Sequence, residues 1–258
     1  MVLLEVENIR HRFGGLVALD KVTFRVARGQ IKSVIGPNGA GKTTLFNIIS
    51  GVIRPESGAI RFQGASLAGM KPYQIATLGI SRTFQNLGLF LRMTVIENVM
   101  VGRHCRTRSG FVSSALRLPG QRKEETSTRD SAMAKLDEMG LADVAHAPAG
   151  SLSFGQRRML ELARALATEP SLLLLDEPAS GLNTREKESL AALISKIRDT
   201  GVTILLVEHD MSLVMDVSDD ILALHYGVPI AEGPPALIRN HKDVLAVYLG
   251  GDCCRAAG

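Results

Sequence analysis

The sequence predicts an α/β protein built on a parallel sheet, and three features carry that expectation. The run Gln30-Ile-Lys-Ser-Val-Ile35 is β-rich and delivers the chain into a glycine-rich turn followed by a helix. Leu172–Leu175 and Val202–Val207 are continuous apolar runs, the pattern of parallel strands covered on both faces. Helical spacing over 155–168 and 190–198 alternates with them, so the order strand, helix, strand repeats as this class requires.

The N-terminal stretch has no basic leader and meets Glu5 and Glu7 at once, so it reads as a first strand rather than a secretory signal. After the glycine-rich turn, Leu45, Phe46, Ile48 and Ile49 keep helical spacing, and Gly51 with Pro55 beyond it stops the helix. From about Asn86 to Gly150 the chain becomes richer in helical spacing and charge, with breaks at Gly102, Gly110, Pro119-Gly120 and Pro148. This stretch predicts an inserted helical subdomain. The expected organisation is an α/β core from 1–85 and 155–235, a helical subdomain at 86–154, and a C-terminal helix and tail at 236–258, with 252–258 unstructured.

With 258 residues, 45% hydrophobic and 22% charged, the composition excludes disordered and collagen-like chains. A chain of this length buries roughly three-quarters of its unfolded surface, so it needs no disulfide or structural metal. Cys105, Cys253 and Cys254 form an odd set without repeated spacing, which fits reducing cytosol and neither a disulfide framework nor a zinc site. The longest apolar runs fall far short of the roughly 20 residues that span a bilayer. Net charge is +4, and Arg103, Arg106, Arg108, Arg117, Arg122, Lys123 and Arg129 concentrate the basic residues between 101 and 130. Two readings of that segment stand open: a solvated face, or a surface for a protein partner or anionic lipid.

The strongest chemical signal is Gly36-Pro-Asn38-Gly39-Ala40-Gly41-Lys42-Thr43, which fills the phosphate-loop pattern between a strand and a helix. Its glycines let several N–H groups turn toward one anion, and the helix that follows adds its positive end. Lys42 would meet the β- and γ-phosphates. Thr43 offers a hydroxyl to Mg²⁺, which keeps several of its waters, and Thr44 belongs to the same nucleotide-binding set. A second signal is Asp176-Glu177, two carboxylates at the end of an apolar strand where α/β sheets bind ligands. Strand alternation points them different ways, so Asp176 is expected toward hydrated Mg²⁺ and Glu177 toward a water lined up on the γ-phosphate.

Between these motifs stands Leu152-Ser153-Phe154-Gly155-Gln156, and with it the chain resembles the ABC transporter ATPases. Gln85 in Thr83-Phe-Gln-Asn86, Ser180-Gly-Leu-Asn183 and His209 align in the same order, so the resemblance runs from about Leu3 to Gly233. Phe13-Gly-Gly-Leu-Val-Ala-Leu-Asp20, Arg82-Thr-Phe-Gln-Asn86, Met93-Thr-Val-Ile-Glu-Asn98, Glu208-His-Asp-Met211 and Val247-Tyr-Leu-Gly250 narrow it to LivG-like subunits of branched-chain amino acid importers.

The resemblance implies a P-loop NTPase core of the RecA-like type that binds ATP or ADP with Mg²⁺ and hydrolyses ATP. Two cassettes, identical or different, would pair head to tail, so that Ser153, Gly155 and Gln156 complete the cage around a nucleotide held by the other subunit. It further implies that Phe13 stacks on adenine, that Gln85 senses Mg²⁺ and the attacking water while touching a membrane subunit, and that His209 contacts the γ-phosphate. Asn183 departs from the aspartate common in the wider family, which bears on the contact across the dimer. Partners would be integral-membrane permease subunits and, indirectly, a solute-binding protein, with the chain cytoplasmic on the inner face of the membrane; nucleic acid is not expected. The alternative is a soluble ATPase of cofactor (iron-sulfur) assembly, since Ser153 follows Lys42 too closely for the long coiled coil of DNA-repair relatives and one cassette is too few for the translation type.

Overall fold

The structure, a computed structural model, describes residues 1–83, 88–103 and 119–253. The chain divides into two compact units, Met1–Ile75 with Leu174–Gly258, and Ala76–Leu173. In the first unit β1 (Val2–Phe13) and β2 (Leu16–Ala27) form a long antiparallel hairpin. Then come β3 (Ile31–Ile35), α1 (Lys42–Ile49), β4 (Ser57–Phe62) and β5 (Ala65–Ser66), before α2 (Pro72–Thr77) leads out of the unit. An antiparallel sheet has the order β2-β1-β4-β5, with Leu4 opposite Phe62 and Val6 opposite both Ile60 and Phe24. Every residue in those pairs is buried, so the period-two pattern has one face on the core.

In the second unit β6 (Ile80–Arg82) precedes α3 (Val95–Arg103), α4 (Pro119–Glu138) and α5 (Phe154–Leu166). A Cβ at Gly102 would stand 2.3 Å from the Arg164 carbonyl oxygen, so α3 meets α5 at a contact that only glycine permits. Val95, Ile96, Val99, Leu136 and Leu160 are buried in this helical layer. The unit reaches past the expected 86–154 because the Gly79 carbonyl accepts from the N–H groups of Ser171 and Leu172, at 2.9 and 3.1 Å. Of the basic segment, Arg106, Arg108 and Arg117 lie outside the described residues.

The chain re-enters the first unit through β7 (Leu172–Asp176) and continues as α6 (Thr184–Asp199), β8 (Thr203–Val207), α7 (Met211–Val217), β9 (Asp220–His225) and β10 (Val228–Gly233). These strands complete a sheet in which the order runs β10-β9-β3-β8-β7, with β3 parallel to β8 and β9. All residues of β3, β7 and β8 are buried, as the unbroken apolar runs predict. Lys32 in β3 carries a buried amine, which is met by Asp220 and Glu232 and lies 5.7 Å from the centre of the Phe24 ring. A buried ammonium persists only with such compensation.

The C-terminus forms two helices, α8 (Pro235–Arg239) and α9 (Lys242–Cys253). Helix therefore extends through Asp252, where an unstructured tail was expected, because Val244 and Tyr248 anchor α9 on an apolar cluster with Ile35, Val214 and Ile238.

Candidate functional site

The phosphate loop leaves β3 at Ile35 and turns on three glycines with left-handed backbone, Gly36 (φ 151°), Gly39 (φ 82°) and Gly41 (φ 100°). At two of them space is also lacking. A Cβ would fall 2.2 Å from the Leu224 carbonyl oxygen at Gly36 and 2.5 Å from the Ala18 carbonyl oxygen at Gly41. Asn38 and Gly39 form the exposed tip, and Ala40 is tied down through its carbonyl, which accepts the Gly227 N–H at 3.1 Å. Gly41 caps α1, whose first turn carries Lys42, exposed Thr43 and half-buried Thr44.

Lys42 is buried and turned back on the loop, its Nζ donating to the carbonyls of Gly36 at 2.7 Å and Pro37 at 3.0 Å. Burial pulls its pKa below the ordinary value, while Glu177, Asp176 and Glu208 pull the other way. The hydrogen bonds of this cation shown among the described residues go to neutral carbonyls, which compensate a charge less than an anionic partner does.

Asp176 is buried at the end of β7. Glu177 takes left-handed backbone (φ 48°) and gives its N–H to the Val207 carbonyl at 2.9 Å. The strand thus ends between the two acids, so the strand alternation from which their different directions were expected does not extend to Glu177. A non-glycine residue at positive φ stores strain and persists where neighbours over-determine it, commonly at functional sites.

Beside it, His209 is exposed with Nδ1 3.9 Å from Glu177 Oε2 and 3.8 Å from Glu208 Oε2. Glu208 is fully buried: one oxygen accepts the Ala179 N–H at 2.7 Å, the other those of His209 at 3.0 Å and Asp210 at 3.4 Å. Asp210 in turn caps α7 through Ser212 and Leu213 and pairs with Lys187 at 2.6 Å, which holds its carboxyl below the usual range.

A profile of the ABC transporter family matches residues 19–180. BraF of Pseudomonas aeruginosa, a high-affinity branched-chain amino acid transport ATP-binding protein, is 45% identical over 96% of this chain and 98% of its own length. The chain belongs to the ABC transporter ATPases. The LivG protein of Escherichia coli, with the same description, is 44% identical over the same shares. A profile described as the branched-chain amino acid ATP-binding cassette transporter matches residues 228–253. Among solved structures, an ABC transporter cassette in its ADP conformation superposes with a TM-score of 0.85 at 31% identity, covering 97% of this chain and 99% of that one.

In this ABC ATPase the signature lies in the second unit. Ser153 caps α5 in a reciprocal box: its Oγ accepts the Gln156 N–H at 3.3 Å, and its own N–H donates to Gln156 Oε1 at 3.0 Å. The Gln156 side-chain oxygen is therefore engaged with the cap, and exposed Ser153 stands beside half-buried Gly155 at the start of the helix. Asn183 does for α6 what Ser153 does for α5, accepting the Glu186 N–H at 3.0 Å while Glu186 accepts its N–H at 2.9 Å. An amide oxygen serves that cap as well as a carboxylate would. Phe13 is half-exposed at the end of β1, edge-on to His11 at 4.7 Å between ring centres, so it stands outside the core. Gln85 lies outside the described residues.

Glu208 had no role assigned from the cassette's sequence, although its position between an apolar strand and His209 marked it. It organises the turn that carries His209 and the segment after Glu177. Glu208→Gln replaces one acceptor oxygen by a donor facing an N–H group. The expected loss is about 1–3 kcal/mol of stability with a lowered turnover number, read by thermal unfolding and phosphate release.

Proposed function

We propose that this chain is the ATP-hydrolysing subunit of an importer for branched-chain or related amino acids. The observation that carries the ATPase part is the convergence of a complete phosphate loop with Asp176, Glu177 and His209 in one unit. The importer part is supported by the C-terminal match at 228–253 and the relatives BraF and LivG.

ATP entering the loop would draw Lys42 Nζ from the Gly36 and Pro37 carbonyls onto the β- and γ-phosphates. Phe13 offers a solvent-facing ring for adenine. Glu177 accepts the proton of a water as that water's oxygen bonds the γ-phosphorus and the bond to ADP breaks. His209, steadied through Glu208, holds the γ-phosphate side of this geometry. Exposed Thr43 and buried Asp176 suit Mg²⁺, which prefers a few protein oxygens and its own waters. Among the described residues no cluster of three or more His, Cys, Asp or Glu could cage a metal by itself. Thr43, Asp176 and Gln85 would hold the ion, which when bound offsets charge on the phosphate oxygens.

Ser153, Gly155 and the N-terminal turn of α5 would complete the cage around a nucleotide bound by a second cassette, identical or different, arranged head to tail. No helix among the described residues is long and apolar enough to cross a membrane. In the proposed importer, translocation would fall to separate permease subunits. Half-exposed Phe90 and Leu91, with the Gln85 segment, are the proposed permease contact on the cytoplasmic face of the membrane. A solute-binding protein would act through those permeases.

The experiment is recovery of tagged Glu177→Gln protein from its native membranes in ATP, Mg²⁺ and mild detergent. Co-purification of two hydrophobic permeases with a second cassette is expected. Recovery of soluble partners alone overturns the importer reading and leaves the ATPase standing.

A further inference from the structure

Helix α9 contributes nothing to the catalytic set, yet one of its side chains reaches the phosphate loop. Val244 and Tyr248, four residues apart on one face, pack on the cluster that includes Ile35, the last residue of β3 before Gly36. The Tyr248 oxygen is sealed from solvent and completes no hydrogen bond among the described residues. Burial raises the pKa of this phenol, and the Gly36 N–H directed at it pulls the other way. Gly36 is confined on another side by the Leu224 carbonyl, and its own carbonyl accepts from Lys42 Nζ at 2.7 Å.

We propose that Tyr248 is a positioning residue for nucleotide binding: its phenol oxygen accepts the Gly36 N–H as the loop closes on nucleotide, so that α9 braces the loop at its entry. The release of Gly36 by Lys42 supplies the occasion. While Nζ holds the Gly36 carbonyl, the glycine is tied to the first residue of α1. Transfer of the amine to phosphate frees Gly36 to settle on Tyr248, and the buried phenol, at which the Gly36 N–H is already directed without full hydrogen-bond geometry, completes that bond in the bound state. Binding then draws on a pre-organised backbone and loses less to ordering the loop. The inference rests on the assignment of the loop to nucleotide, which ADP binding by the wild-type chain tests on its own.

Tyr248→Phe keeps the ring and deletes the hydroxyl. The expected result is an ADP dissociation constant by calorimetry, and a KM for ATP, raised about three- to ten-fold, with kcat within about two-fold of wild type, the scale of one lost hydrogen bond. Val244→Ala removes packing from the same cluster without touching the hydroxyl and is expected to lower Tm while leaving KM unchanged. Ile238→Val serves as the packing control if Val244→Ala does not stay folded. An unchanged KM in Tyr248→Phe, or an equal rise in the packing control, overturns the proposal.

Discussion

Glu177→Gln is expected to bind ATP as tightly as the wild type and to hydrolyse it at least about a hundred-fold more slowly, because positioned general bases contribute that much or more. The amide keeps the size of the carboxylate and the left-handed backbone at φ 48°, so the Val207 carbonyl retains its N–H partner and the turn survives. What disappears is the acceptor that takes a proton from water. ATP then persists in the site, and the protein should elute as a dimer in ATP and Mg²⁺ while the wild type returns to its resting state. Glu177→Gly gives the complementary result: glycine adopts positive φ without strain, so Tm should not fall although turnover does. Single-turnover phosphate release together with size-exclusion in ATP provides the check. Undiminished hydrolysis by Glu177→Gln would remove Glu177 from the role of base.

What the sequence made legible follows from how local each feature is. The phosphate loop could be read because its chemistry is a spacing, with glycines where the backbone must turn left-handed and a lysine at the helix start. The parallel strands could be read because Leu172–Leu175 and Val202–Val207 lack the polar alternation of a half-exposed strand. Glu208 could not, since its partners come from Ala179 as well as from its own turn, and nothing in the order of residues reveals that a buried carboxylate will gather them. Glu177 misled for a related reason. Alternation holds along a strand, and the strand ends at Asp176 because Glu177 turns to left-handed backbone while its N–H still reaches the Val207 carbonyl. The two-helix C-terminus also depends on distant residues, since Ile35 and Val214 supply the surface on which Val244 and Tyr248 order α9.

Lys42→Met separates function from stability, and the two readouts should diverge. The ammonium offers charge-assisted hydrogen bonds to two phosphates, each worth about 1.5–3 kcal/mol, so ATP and ADP affinity should fall by about a hundred-fold or more. The apo protein should lose little. Folding lowers the pKa of Lys42, chiefly by burial, which means that the folded chain disfavours the charged form relative to the unfolded chain. Between that lowered pKa and the ordinary 10.5 the unfolded state binds more protons, so wild-type stability gains as pH rises through this window. Methionine removes the penalty and the gain together, at the cost of leaving the Gly36 and Pro37 carbonyls without the Nζ donor. The Tm of the variant should therefore stay within a few degrees of wild type at pH 7, and the variant should lack the wild-type gain toward pH 10. Calorimetric titration with ADP and unfolding at the two pH values measure both sides. Unchanged ADP affinity would dissociate Lys42 from the phosphates, and collapse of the fold at pH 7 would mean that the lysine is held for structure rather than kept buried for the anion.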